Sequence, residues 1–153
     1  MAQSLDLELA RSVLIVDDDD SIRGALRLLL KASDLPVIGE ATNGIEAGYM
    51  AYRHQPAIVI LDYQIPKLNG AETSYVVRFL APRSRIIAFS ALLEARPVWA
   101  DAFLSKGSIG KMVPLIESIL MWPGGDGHHD GDGHHDGDGH HGDGHHRDGH
   151  RIQ

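Results

Sequence analysis

The sequence contains no cysteine. That absence removes disulfide frameworks, cysteine-ligated zinc, iron–sulfur clusters and a thiol nucleophile. Long apolar runs are missing too. The longest aliphatic stretch, Ala57-Ile58-Val59-Ile60-Leu61, has five residues, far short of the roughly 20 needed to cross a bilayer. The opening Met1-Ala2-Gln3-Ser4-Leu5-Asp6 offers neither the basic flank nor the apolar centre of a signal peptide. A cytoplasmic location without membrane partners is therefore expected. Nor is there a surplus of positive charge. Of the net −7, residues 124–153 supply −5 (seven Asp, two Arg) and residues 1–123 supply −2 (14 acids, 12 bases). Neither part has the basic surface that nucleic-acid binding requires.

A chain of 153 residues has room for one domain of ordinary size. Its composition changes at Pro123-Gly124-Gly125, so the expected division is a folded domain at 11–122 and a tail at 123–153. The tail is almost entirely Gly, Asp and His and carries nine of the ten histidines. They fall in pairs at His128 and His129, His134 and His135, His140 and His141, and His145 and His146, with His150 trailing. With one large aliphatic residue, Ile152, such a segment cannot bury enough surface to offset its conformational entropy and is expected to be disordered. It also lacks the aliphatic position of glycine–aspartate calcium repeats.

Before the boundary, short aliphatic runs alternate with helical spacings. Val13–Val16 is apolar on both faces, as a buried parallel strand is. Residues 21–32 follow with helical spacing. Leu35–Ala41 reads as a second strand, 45–53 as a helix stopped near Pro56, Ile58–Leu61 as a third strand and 70–80 as a helix. Arg85–Phe89 and Ala102–Leu104 read as strands four and five. Residues 109–121 read as the last helix, with Pro114 placing its first turn near 113. Repeated β-then-α units predict an α/β fold: a doubly wound, five-stranded parallel sheet with helices on both faces.

In such sheets ligands bind at the carboxyl ends of the strands. Asp17-Asp18-Asp19-Asp20 follows strand one, Asp62 strand three and Ser90 strand four, and Lys106 lies two residues after strand five. Each has a plain structural role available. Asp19 or Asp20 can cap the next helix, Ser90 can cap a turn, and an acid run or a lone lysine is ordinary surface. Together they describe a chemistry. Carboxylates brought to about 4 Å repel by roughly 4 kcal/mol at an effective dielectric of 20, and a hard cation that prefers oxygen ligands relieves this. An aspartate beside magnesium and a lysine has what phosphoryl transfer needs: a nucleophilic oxygen, neutralising charge and a cation for the transferred group.

At these residues the chain resembles the receiver domain of two-component response regulators, and in particular the single-domain, chemotaxis-regulator-like kind. Val13-Leu14-Ile15-Val16-Asp17-Asp18-Asp19 resembles its first strand and acidic pair. Ile60-Leu61-Asp62-Tyr63-Gln64-Ile65-Pro66 with Gly70 resembles the phosphoacceptor motif. Ala41-Thr42-Asn43-Gly44, Phe89-Ser90-Ala91 and Phe103-Leu104-Ser105-Lys106 resemble the exits of strands two, four and five. The resemblance spans about residues 11–121 and implies a flavodoxin-like receiver fold. It implies that Asp62 accepts a phosphoryl group from a sensor histidine kinase or phosphotransfer protein. It implies Mg2+ (or Mn2+) held by Asp17, Asp18, Asp62 and the backbone carbonyl of Gln64, with Lys106 on the phosphate. Ser90 and Phe103 are implied as the switch pair, Phe103 being equally a core aromatic. Such a protein is a regulator rather than an enzyme, catalysing at most its own phosphoryl transfer and dephosphorylation.

Two departures stand out. Only 16 steps separate Ser90 from Lys106, fewer than is usual in the family, and Pro97 falls between them, so the fourth helix is expected to be short or missing. Gly107 stands where the family usually has proline. No recognisable output module follows, so output by contact with a downstream protein is expected. Two alternatives remain. The His-rich tail suits Ni2+, Zn2+ or Cu2+, making a metal-handling or metal-responsive protein. The short fourth-helix region suits a degenerate receiver that serves as a constitutive interaction module. A hydrolase of the aspartate-nucleophile phosphatase type is disfavoured, because Gln64 stands where its second aspartate belongs.

Overall fold

The computed structural model describes residues 8–122. The expectations for the tail, its disorder and its histidines among them, lie outside the described residues. The order of elements is β1 (Val13–Val16), α1 (Asp20–Ala32), β2 (Val37–Ala41), α2 (Gly44–His54), β3 (Ile58–Leu61), α3 (Gly70–Leu80), β4 (Arg85–Ser90), β5 (Ala102–Ser105), a 3-10 turn (Lys106–Lys111) and α4 (Met112–Leu120). The five strands form one sheet in the order β2-β1-β3-β4-β5, and every neighbouring pair is parallel. This is the doubly wound sheet that the sequence predicts.

β1 and β3 are buried along their whole length, which explains why they read as unbroken aliphatic runs. Alternate residues feed two separate cores. Val13, Ile15, Ile58, Ile60, Ile87 and Phe89 pack with Leu26 and Leu30 of α1 and Met112, Ile116 and Ile119 of α4. Leu14, Val16, Val59, Leu61, Ile86 and Ala88 face Ala47 and Ala51 of α2 and Val77 of α3. α2 and α3 lie close together, because a Cβ on Gly48 would come within 2.9 Å of Val76 Cγ1.

The helices begin at local signals. Asp19 caps α1 and accepts from the N–H groups of Ser21 and Ile22. Asn43 caps α2. Asn69 caps α3 in a reciprocal capping box with Glu72. α2 stops at Gln55, which is left-handed (φ 48°) and precedes Pro56.

Two boundaries differ from expectation, and the short or missing fourth helix is as expected. β2 starts at Val37, not Leu35. Leu35 returns its N–H to Leu30 O and is buried in the core under α1 as part of that helix's exit. The last helix is split: Lys106–Lys111 is a 3-10 turn with a non-helical Ser108, and α4 starts at Met112 with Pro114 in its first turn, where a missing N–H costs nothing. The fourth crossover helix is absent, since residues 91–101 contain only bends and turns.

That connection is nonetheless anchored. Trp99 and Ala100 are buried against the α2–α3 side of the sheet. Arg78 of α3 donates to Trp99 O (3.1 Å) and to Asp101 Oδ2 (3.3 Å), and Asp101 Oδ2 also accepts from Ile86 N (2.8 Å). Every peptide bond among the described residues is trans, Lys106–Gly107 included. No described helix is long and apolar enough to cross a membrane.

α1 offers a direct check of this burial pattern. Leu30 is fully buried, whereas Leu28 is 71% exposed. Leu30→Ala should lower the unfolding free energy by about 2–5 kcal/mol, and Leu28→Ala should change it by less than about 0.5 kcal/mol. Urea denaturation of the two variants beside the parent measures both.

Candidate functional site

The carboxyl ends of β1, β3, β4 and β5 bring the predicted residues to one end of the sheet. Asp17, the first residue after β1, is 1% exposed; Asp62, the first after β3, is 5% exposed. β1 and β3 are paired in register, Val16 opposite Leu61, so these two aspartates leave adjacent strands side by side. Asp18 is exposed. One carboxylate oxygen from each of Asp17, Asp18 and Asp62 lies within 4.8 Å of the others.

Lys106, which opens the turn after β5, reaches into this cluster. Its Nζ lies 2.8 Å from Asp17 Oδ2 and 2.9 Å from Asp62 Oδ2. The contact with Asp62 is a hydrogen bond. The contact with Asp17 is an ion pair without good hydrogen-bond alignment, and it leaves the buried Asp17 Oδ2 with no donor. Asp17 Oδ1 accepts from Asp19 N (2.9 Å), which locks the acidic turn into the start of α1. Gln64 N donates weakly to Asp62 Oδ1 (3.4 Å). Gln64, Asp18 and Tyr63 line a shallow opening completed by Ile65, Pro66 and Asn69.

The electrostatics follow from this arrangement. Burial is the main force raising the Asp62 pKa above the usual carboxylate value. The Lys106 hydrogen bond pulls it down, and the nearby Asp17 charge pushes it up again. For Lys106, burial opposes the charge, but the facing carboxylates Asp17 and Asp62 outweigh it and raise its pKa. A buried aspartate that is hard to ionise, beside an acid whose inner oxygen accepts no hydrogen bond, has room for one more positive charge. Three carboxylates and no nitrogen or sulfur donor make a set that suits Mg2+, and the donors present fit it.

Ser90 ends β4, is 1% exposed and accepts from Leu92 N at Oγ (3.1 Å). Its register partner on β5 is Ser105, next to Lys106. Phe103 is half-buried and packs against the same core as Tyr63 and Trp99. Gly70 allows the loop after Asp62 to close: its N–H donates to Tyr63 O (2.7 Å), and a Cβ there would sit 2.7 Å from Asp62 O and from Tyr63 Cα.

Two features escaped the sequence reading. Arg23, one turn into α1, donates from Nη1 to Asp17 O (2.7 Å) and pairs with Asp20 and with Glu40 of β2, tying the acidic turn to the edge of the sheet. A basic residue three positions after Asp20 was the available signal. The second is a stack of Tyr63 on Trp99, with ring centroids 6.2 Å apart and an 18° interplanar angle. Residues 91–101 have no periodicity that would have pointed to it.

Comparison with known proteins agrees with this geometry. The response regulator receiver domain model matches residues 13–108. The transcriptional regulatory protein PdtaR of Mycobacterium tuberculosis is 36% identical over 118 residues, spanning 73% of this chain and 58% of that protein. The nitrate/nitrite response regulator protein NarL of Escherichia coli is 35% identical over 102 residues, spanning 62% and 47%. The chain thus spans about half the length of the curated relatives it matches. Among solved structures, a CheX–CheY–BeF3–Mg complex from Borrelia burgdorferi superposes with a TM-score of 0.67 at 26% identity, covering 72% of this chain and 90% of that one.

The raised Asp62 pKa sets the sign of a stability effect. Holding this carboxyl ionised costs the fold stability once the pH exceeds the range of an ordinary carboxylate, about 4. Below that range the group is neutral in both the folded and unfolded chain. Asp62→Asn should therefore melt a few degrees higher than the parent at neutral pH without divalent metal. The increment should shrink as the pH falls towards the protonation of Asp62, and also when Mg2+ is added. Melting curves at several pH values, with and without the metal, measure this.

Proposed function

The chain belongs to the response regulator receiver-domain family, and from that premise we propose that it is a phosphorylation-dependent switch whose phosphoacceptor is Asp62. The single observation that carries the proposal is the bridging of Asp62 and Asp17 by Lys106 at 2.9 and 2.8 Å. An Asp62 oxygen attacks the phosphorus of a phosphohistidine on a sensor kinase or phosphotransfer protein. The O–P bond forms as the N–P bond breaks, and the released imidazole takes up a proton. Lys106 holds the acceptor carboxylate before transfer and the phosphoryl oxygens after it. Asp17, Asp18, Asp62 and the Gln64 carbonyl would hold Mg2+ (or Mn2+), which when bound supplies positive charge against the phosphoryl group. Phosphorylation adds about −1.5 to −2 charge, and Ser90, already buried beside the site, turns its hydroxyl towards it. Phe103 follows Ser90 inward. The altered surface around β4 and β5 then meets a downstream protein. The folded receiver comprises residues 11–122.

Incubation with Mg2+ and a small acyl-phosphate donor should add the mass of one phosphoryl group to the intact protein. Asp62→Ala should add none, and Lys106→Ala should be labelled at least about tenfold more slowly, a loss of about 1.4 kcal/mol in transition-state stabilisation. Equal labelling of the parent and Asp62→Ala would overturn the assignment.

A second activity is favoured by the composition of residues 123–153. Nine histidines, eight of them in four pairs with aspartates between them, make a chelating segment for Ni2+, Zn2+ or Cu2+, which would make the switch metal-responsive. Its charge of −5 becomes about +4 when the imidazoles protonate below about pH 6, so binding is lost in acid. Calorimetry should show several Ni2+ or Zn2+ ions bound by the full chain with micromolar or tighter affinity. A full-length variant with the nine tail histidines replaced by glutamine should lose this while still taking phosphate at Asp62.

A further inference from the structure

The connection from β4 to β5 is the place where this receiver departs most from a regular βαβ unit. It has no helix, so its position is set by its two ends, with Leu93 packed against the core between them and Arg96 donating to Ala100 O (2.9 Å). At the first end, Leu92 N donates to Ser90 Oγ (3.1 Å). At the other, Trp99 is 8% exposed. Its carbonyl accepts from Arg78, and its ring lies on Tyr63 with centroids 6.2 Å apart. Tyr63 directly follows Asp62, and its own carbonyl is held by Gly70 N. Between the anchored ends, Leu92 is 57% and Val98 93% exposed.

We propose that the Tyr63–Trp99 stack is the contact that couples the state of Asp62 to the helix-less connection 91–98, with Tyr63 and Trp99 acting as positioning residues. The proposal rests on Asp62 being the phosphoacceptor. A regular crossover helix holds its own shape by backbone hydrogen bonds, and its displacement is that of a rigid body. A connection without such bonds keeps its place through side-chain anchors, so a displacement at an end anchor is passed into the segment. Both anchors are set at the site: one is the hydroxyl of Ser90, the other the side chain next to Asp62. A phosphoryl group on Asp62 adds bulk and charge one residue from Tyr63 and draws the Ser90 hydroxyl away from Leu92 N. The Leu92 end is thereby released, and the stack determines how far the Trp99 end follows. Offset aromatic stacks contribute on the scale that a two-state segment needs for such control.

The test uses the full chain carrying Trp122→Phe, which keeps a ring beneath the Arg85 guanidinium and leaves Trp99 as the only tryptophan. With Mg2+ and acetyl phosphate, intact mass gives the labelled fraction. Trp99 emission reports the stack, and amide exchange by mass spectrometry reports residues 91–98. The expected result in this parent is a change in Trp99 emission together with a several-fold change in exchange across 91–98. In Trp99→Leu, and independently in Tyr63→Ala, the exchange change per labelled molecule should fall to less than about half. Tyr63→Phe should restore it. A contact that only stabilises the fold would lower the melting temperature in these variants and leave the phosphorylation-dependent difference intact, and that result would overturn the proposal. An undiminished difference in Tyr63→Ala alone would also overturn it, should Trp99→Leu fail to fold. No added phosphate on the parent would instead overturn the assignment of Asp62, and the coupling with it, so the mass and exchange readouts separate the two failures.

Discussion

The site depends on one electrostatic constraint: two aspartates forced together at the ends of neighbouring strands need a cation between them. Asp17 and Asp62 cannot move apart, because β1 and β3 are paired in register and buried on both faces. Carboxylates this close repel by several kcal/mol at the dielectric of a protein surface. Lys106 answers that repulsion from β5, two strands away from β3. The order of the sheet and the charge pattern of the site are thus one arrangement. The lysine stands at nearly equal distance from both partners, hydrogen-bonded to Asp62 and ion-paired with the inner oxygen of Asp17, an oxygen that takes no other donor. The arrangement is balanced but incomplete, which is the condition for admitting and releasing further charge.

Around that constraint, the two faces of the sheet do different work. The α1–α4 side is filled by large aliphatic side chains. The α2–α3 side is closely packed through small residues, with Gly44, Gly48 and Gly70 at approaches that leave no room for a Cβ. The loop carrying Asp62 runs along this second side and is pressed against it by Gly70. The acceptor loop therefore inherits its geometry from the close approach of backbone to backbone, and the side chains that leave the loop, Tyr63 first, have fixed directions.

Much of this was legible in the sequence. Strands buried on both faces show as continuous branched runs, so β1, β3 and β4 were placed within a residue. The charged residues at strand ends were found because strand ends converge in a parallel sheet, and the resemblance to receiver domains gave them roles. The missing helix was legible from the short interval between Ser90 and Lys106 and from Pro97. Other features were hidden for physical reasons. Leu35 is apolar and buried but belongs to a helix exit, which hydrophobicity cannot distinguish from a strand. Lys106–Lys111 tightens into a 3-10 turn whose side-chain spacing mimics the start of a helix. Arg23 and Trp99 act through backbone carbonyls and ring faces across the fold, interactions that leave no periodic mark.

The strand order has one more consequence. Among the described residues, β2 and β5 are the margins of the sheet, where another chain could add a strand. Glu40 of β2 is bound by Arg23 and Arg27, which places charge along one margin, and β5 is only four residues long, which gives the other little to offer. With both margins protected in this way, lateral growth of the sheet into larger aggregates is disfavoured.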